Sequence, residues 1–169
     1  LFAANFPEAA QKLIIVDSAA GREQPPVFDD AKEPLVFQSV EAAMDHFKGL
    51  SNPPRISWDR TRAEAALKKT DAGLQLKRDP HFNNSQPVGD GARAPRLNQR
   101  NTWEELARIR CPIMIVRGTR SDRYSPERLQ RYHREFPHIV MREADSQHDV
   151  AGQAPDELIA HAGAFIRDG

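Results

Sequence analysis

Short apolar runs, separated by longer amphipathic stretches, set the pattern of hydrophobic and polar positions along the chain. Three of these runs are rich in branched residues and bounded by polar residues, as is typical of strands buried in a parallel sheet. They are Leu13 to Asp17, Ile113 to Arg117 and His138 to Arg142. The pattern therefore predicts three core strands, of which the last two lie close together in the sequence.

Helical periodicity alternates with these strands. Ser125 to Phe136 begins with a serine suited to the N-cap and a proline suited to the first helical position. Ala154 to Ile166 has one apolar face, made of Leu158, Ile159, Ala162, Phe165 and Ile166. A third helix is predicted over Thr102 to Ile109, where Thr102 and Glu105 have the spacing of a capping box. Strands that alternate with helices indicate an α/β fold with a parallel sheet and right-handed crossovers.

The segment between the first two strands is far longer than one crossover helix needs, so residues 19–101 are predicted to be an insertion. It contains two predicted helices, Ser39 to Leu50 and Ser57 to Thr70, and an irregular stretch rich in Pro, Gly and Asn from Asp79 to Arg100. The predicted organisation is core over residues 1–18, insertion over 19–101 and core over 102–169. Leu1 to Ala4 resemble the last turn of a helix that Pro7 ends, and we expect a further portion of the protein to precede them.

Charge excludes several classes of partner. The chain has 24 basic and 24 acidic residues among 169, so no large field favours nucleic acid or an anionic membrane. No apolar run approaches the roughly 20 residues that a membrane-spanning helix needs. A small-molecule substrate is the expected partner, and the oligomeric state is not predicted. The expected location is the cytoplasm. Any signal peptide would lie in the portion that is expected to precede Leu1.

An acid and a histidine follow two consecutive strands. Ligands bind beyond the carboxyl ends of strands in an open parallel sheet. Asp122 follows the second strand and His148 follows the third. Neighbouring strands are about 4.8 Å apart, so these side chains are predicted to meet, with Asp122 orienting His148 as a general base.

Simpler interpretations of these residues remain open. Asp122 has the position of a cap for the helix near Ser125, and His148 that of a hydrogen-bonding residue at a helix entrance. Asp17, at the end of the first strand, is a second candidate for the acid, although a loop hydrogen bond is the favoured interpretation for it.

The motifs resemble the C-terminal part of the α/β-hydrolase fold family. The similarity covers "WEELARIRCPIMIVRGTRSDRYSPE" and "ADSQHDVAGQAPDELIAHAGAFI", with the front end "LFAANFPEAAQKLIIVDSA" and the lid-like stretch "TDAGLQLKRDPHF". The resemblance implies a parallel sheet flanked by helices with a mainly helical lid insertion. In the family, the acid follows the seventh strand and the histidine follows the eighth, positions that Asp122 and His148 occupy here. Some members place the acid after the sixth strand, which corresponds to Asp17.

The family's nucleophile motif does not occur in the chain. The order in the family is nucleophile, acid, histidine, with the nucleophile in a G-x-S-x-G elbow. No such elbow is found, so the resemblance implies a nucleophile in the portion expected before Leu1, and a fragment that is inactive alone. It implies hydrolysis of an ester or related bond, with no metal or organic cofactor. Two alternatives stay open: an aspartate nucleophile, as in epoxide hydrolases and haloalkane dehalogenases, and a non-catalytic binding or signalling protein on the same scaffold.

Overall fold

A computed structural model of the chain describes residues 2–21, 36–49, 57–77 and 101–167. These residues divide into two compact units, one made of residues 2–21, 57 and 101–167, and the other of residues 36–49 and 58–77. The irregular segment predicted for residues 79–100 lies outside the described residues. No helix of the described ranges combines the length and apolar character that crossing a membrane requires.

The described elements, in chain order, are α1 (Phe2–Asn5), a single 3-10 turn (Pro7–Ala9), β1 (Leu13–Val16), β2 (Val36–Phe37), α2 (Val40–Gly49), α3 (Arg60–Ala66), β3 (Leu67–Thr70), β4 (Gly73–Leu76), α4 (Thr102–Ala107), β5 (Ile113–Gly118), α5 (Pro126–Glu135), β6 (Val140–Ala144), α6 (Val150–Gln153) and α7 (Pro155–Arg167).

The first unit contains the predicted parallel sheet. Its strand order is β1-β5-β6, with β5 in the middle and both pairs parallel. Val16 is level with Val116, and Gly118 is level with Ala144. All three predicted strands are therefore confirmed, although β6 begins two residues later than the sequence suggested, after a turn at Pro137 and His138. The register brings the carboxyl ends of the strands to one edge of the sheet.

Two apolar clusters bury the two faces of β5, as expected for a central strand. Ile113 and Ile115 face a cluster that includes Leu106, Tyr132 and Phe136 from the helices α4 and α5 and the residue after α5. The alternate positions Met114 and Val116 face a second cluster, to which α7 contributes Leu158, Ala162 and Phe165. All four β5 side chains are at most 1% exposed. Each stabilises the fold by roughly 1.5–3 kcal/mol relative to an exposed position.

Two local predictions are corrected. Ile159 and Ile166, predicted to lie on the buried face of α7, are 68% and 61% exposed. The side chains of α7 that pack against the second cluster are narrower in their spread, at positions spaced by four and then three residues: Leu158, Ala162 and Phe165. The N-cap of α4 is Asn101, whose side chain accepts the N–H groups of Trp103 and Glu104. The Thr102 hydroxyl instead accepts the Gly21 N–H, at 2.7 Å, and so ties the end of the β1 loop to α4.

The second unit contains a small antiparallel sheet beside its two helices. Its strand order is β2-β4-β3. The helix predicted for residues 57–70 ends at Ala66, and residues 67–70 form β3 instead. Gly73, at φ 132°, begins the returning strand β4 after a turn at Asp71 and Ala72. The pairing of Leu67 with Leu76 buries apolar side chains against Phe37 and Ala43, which outweighs the helical preference of the lysines between them.

Candidate active site

Three loops leave the carboxyl edge of the parallel sheet, one after each strand. Asp17 directly follows β1, and its N–H continues the strand ladder by donating to Val116 O at 2.8 Å. The loop after β5 starts at Gly118, and the loop after β6 leads through Ser146 to His148. Residues from all three loops meet at Asp17.

Asp17 is the buried centre of this site. Its side chain is 0% exposed, and its backbone is in the left-handed region at φ 42°. Non-glycine residues rarely adopt this conformation, and aspartate is among those that tolerate it. Oδ1 accepts the Gly118 N–H at 2.9 Å, while Oδ2 accepts the Ser121 hydroxyl at 2.5 Å. The carboxylate is thus buried with donors on both oxygens, as a buried charged group requires.

His148 completes the contacts of this carboxylate. Its Nδ1 lies 2.8 Å from Asp17 Oδ2, and its side chain is 32% exposed. A carboxylate oxygen can only accept, so the contact places the imidazole proton on Nδ1 and leaves the lone pair on Nε2. This is the tautomer that a general base needs.

Gly118 allows the two side chains to meet across the middle strand. β1 and β6 are separated by β5, so their backbones are about 10 Å apart. A side chain at Gly118 would clash with the loop that carries His148, since a Cβ there would lie 2.3 Å from Gln147 O and 2.6 Å from Ser146 O. Glycine therefore lets the histidine loop pack directly on the end of β5, while its N–H anchors Asp17.

Backbone hydrogen bonds fix the histidine loop against the loop after β5. Thr119 N donates to Ala144 O at 2.9 Å, and Arg120 N donates to Ser146 O at 3.0 Å. The Arg120 side chain also forms an ion pair with Asp145. Directly before His148, Gln147 N donates to the Gln153 side chain at 2.6 Å. These contacts hold the backbone of the loop that carries His148.

The structure does not bring Asp122 to His148 as the sequence predicted. The Asp122 side chain is 63% exposed, and its Oδ1 lies 3.8 Å from Arg123 Nε. The preceding residues form a tight turn in which Ser121 N donates to Gly118 O at 3.2 Å. That turn directs Ser121 toward Asp17 and leaves the next residue on the outside. The predicted Asp122–His148 pair is therefore replaced by an Asp17–His148 pair.

The sequence contains a signal for Asp17. Asp17 stands at the carboxyl end of a strand, which is the same rule that singled out Asp122 and His148. The loop hydrogen bond favoured for Asp17 is present, to Gly118, but the same carboxylate also accepts from the imidazole. Ser121 carried no sequence signal of its own.

Two buried tyrosines lie behind the site. Tyr124 and Tyr132 are 5% and 2% exposed, and Tyr132 accepts the Ala20 N–H at 2.7 Å. Burial raises the pKa of both phenols, and for Tyr124 the nearby Tyr132 and the Asp17 carboxylate raise the pKa further. Both side chains therefore remain neutral phenols and pack the loop that follows β1.

Comparison with solved structures identifies the architecture. E-2-(acetamidomethylene)succinate hydrolase matches 98% of the chain with a TM-score of 0.74 and 21% identity. An α/β hydrolase from Novosphingobium aromaticivorans matches 98% with a TM-score of 0.71 and 16% identity. An esterase from M. tuberculosis matches 98% with a TM-score of 0.65 and 19% identity. The chain has the α/β-hydrolase fold.

The similarity concerns the fold and covers part of each α/β-hydrolase structure. The chain spans 60% of the first two proteins and 57% of the third. No protein-family model matches the sequence, and no curated protein sequence matches it significantly. The predicted α/β-hydrolase fold is confirmed, with a parallel sheet flanked by helices.

Proposed function

We propose that this chain carries the base and the acid of a hydrolase active site, with His148 as the base and Asp17 as the residue that orients it. The observation that carries the proposal is the 2.8 Å contact between His148 Nδ1 and the buried Asp17 carboxylate. Asp122, the acid suggested by the sequence, is replaced in this role because its side chain is exposed and lies beside Arg123.

The arrangement suits proton transfer at Nε2. Among the described residues, none forms a hydrogen bond to Nε2 of His148, and the side chain is 32% exposed. A nucleophile's hydroxyl proton would pass to Nε2 as its oxygen attacks the carbonyl carbon. The imidazolium would then be stabilised by Asp17 and would return the proton to the leaving group. In the second half of the reaction, His148 would remove a proton from water as the water oxygen attacks the acyl carbon, and it would return that proton to the nucleophile's oxygen as the acyl group leaves.

The nucleophile of the proposed reaction lies outside this sequence. No G-x-S-x-G elbow occurs in the chain, which spans about three fifths of the hydrolases it resembles. We infer a serine in a portion that precedes Leu1, acting on an ester or related bond of a small molecule. The chain alone is then inactive, and no metal or organic cofactor takes part. The second unit has the position of a lid insertion in the sequence.

The proposal is tested on the protein produced from its full coding sequence. A fluorophosphonate probe labels an activated serine and spares an aspartate nucleophile. We expect labelling in the wild type and its loss in His148→Ala, because the serine then has no base. His133→Ala is the matched control, since His133 is an exposed residue of α5. Absence of labelling in the wild type, with turnover of an epoxide or a haloalkane, would replace serine by aspartate. Labelling that is equal in wild type and His148→Ala would contradict the role of His148.

A further inference from the structure

The Asp17 carboxylate is anchored through both of its oxygens, by groups from one tight turn. Gly118 N–H donates to Oδ1 at 2.9 Å, and the Ser121 hydroxyl donates to Oδ2 at 2.5 Å. Oδ2 is also the oxygen that faces His148. The terminal torsion of an aspartate side chain adopts a broad range of angles, so with a single hydrogen bond the second oxygen can change its position. Two anchors on different oxygens remove this freedom.

The Ser121 hydroxyl is itself held as a donor. Ser121 closes the turn with its N–H on Gly118 O, at 3.2 Å. Its oxygen accepts the Arg123 N–H at 3.2 Å, which occupies one lone pair. A serine hydroxyl has a single proton, and a carboxylate can only accept, so that proton points to Asp17. The direction of this hydrogen bond is therefore fixed by the loop and does not depend on a substrate.

We propose that Ser121 is a positioning residue for the Asp17–His148 pair. Its hydroxyl holds Oδ2 of Asp17 toward His148 Nδ1, and in this way it favours the tautomer whose Nε2 lone pair is available. The inference rests on the proposed function and adds a residue to it whose hydroxyl hydrogen-bonds the Asp17 carboxylate. Ser121 acts through Asp17, which explains how the loop after β5 contributes to the site although its own carboxylate, Asp122, is exposed.

The test measures the tautomer of His148 by ¹⁵N NMR of its ring, in the protein produced from its full coding sequence. The measurement is made at a pH at which the imidazole is neutral, so that only its two neutral tautomers are compared. We expect the wild type to have its proton on Nδ1 and Ser121→Ala to lose part of that population. Ser121→Thr, which keeps the hydroxyl, should restore it. Ser125→Ala removes a hydroxyl from the same loop whose partner is Arg128 N, and it should leave the tautomer unchanged.

Kinetics supply a second readout that a purely structural role would not produce. With an ester substrate, we expect Ser121→Ala to lower kcat by about 3- to 10-fold, the effect of losing one positioning hydrogen bond. KM should stay unchanged because the proposed role of Ser121 acts through Asp17 on the proton transfer. If Ser121→Ala fails to fold, Ser121→Cys replaces it, since a thiol has a similar shape and is a weaker donor.

Asp17→Asn separates failure of this inference from failure of the proposed function. If Asp17→Asn shifts the tautomer and neither Ser121→Ala nor Ser121→Cys does, the positioning role of Ser121 is overturned and the Asp17–His148 pair stands. If Asp17→Asn also leaves the tautomer as in the wild type, the pair itself is overturned. A shift in Ser121→Ala that Ser121→Thr does not reverse would likewise overturn the role of the hydroxyl.

Discussion

Asp17 and His148 are 131 positions apart in the sequence, yet the Asp17 carboxylate and the His148 imidazole are joined by a 2.8 Å contact. The two residues come from the loops after β1 and β6, which are the outer strands of the three-stranded sheet. Their side chains meet beyond the end of the middle strand, where the absence of a side chain at Gly118 lets the histidine loop pack closely. The sheet register, the glycine and the tight turn after β5 together produce this contact.

The absence of a side chain at Gly118 gives the first prediction. Gly118→Ala places a methyl group against two carbonyl oxygens of the histidine loop, so we expect the free energy of unfolding to fall by about 1–3 kcal/mol. Urea unfolding checks this. Gly49→Ala is the matched control, because nothing lies within 4 Å of a Cβ at the end of α2. Equal stability of Gly118→Ala and wild type would show that the loop does not pack on β5 as described.

The hydroxyl of Tyr132 gives the second prediction. It accepts the buried N–H of Ala20, so Tyr132→Phe leaves that N–H without its acceptor and should cost about 1–3 kcal/mol of unfolding free energy. Within the described ranges, the buried hydroxyl of Tyr124 has no hydrogen-bond partner. Tyr124→Phe should therefore cost less than Tyr132→Phe. The reverse order in urea unfolding would contradict this assignment.

The raised pKa of Tyr124 gives a prediction for alkaline pH. In the unfolded state, the Tyr124 phenol loses its proton near pH 10. In the folded state, burial, Tyr132 and Asp17 raise the pKa of this phenol, so it keeps its proton. The unfolded state then binds fewer protons, so stability falls as pH rises. Above about pH 10, the wild type should lose roughly 1.4 kcal/mol per pH unit relative to Tyr124→Phe. Urea unfolding of both proteins from about pH 9 to pH 11.5 checks this, and a constant difference would contradict it.

The architecture could be read from the sequence because its determinants are local. Branched apolar runs predicted all three parallel strands, and the Ser125–Pro126 pair predicted the start of α5, where Ser125 accepts the N–H of Arg128. The end of α3 at Ala66 was missed, because the hairpin that follows depends on the pairing of Leu67 with Leu76 and on burial against Phe37. Helical periodicity in residues 57–70 carries no information about that pairing.

The position of His148 at the carboxyl edge of the sheet could be predicted, and the carboxylate that it contacts could not. Both Asp17 and Asp122 follow strands, so the sequence places both at the same edge of the sheet. What separates them is the tight turn from Gly118 to Ser121, which turns Ser121 inward and leaves Asp122 exposed. The geometry of such a turn depends on the neighbouring histidine loop, whose carbonyl oxygens contact Gly118. That information is absent from the spacing of acids and histidines along the chain.

Exchanging each of the two candidate acids for its amide tests directly whether Asp17 orients His148. Asp17→Asn and Asp122→Asn are compared with the wild type in the protein produced from its full coding sequence, by kcat/KM on an ester substrate. Exchange of the acid for its amide in a catalytic triad lowers the rate by roughly 10⁴-fold. If Asp17 orients His148, kcat/KM should fall by about this factor in Asp17→Asn and change by at most about 3-fold in Asp122→Asn, since substitutions at exposed sites have small effects. A large loss in Asp122→Asn with an active Asp17→Asn would contradict this role of Asp17.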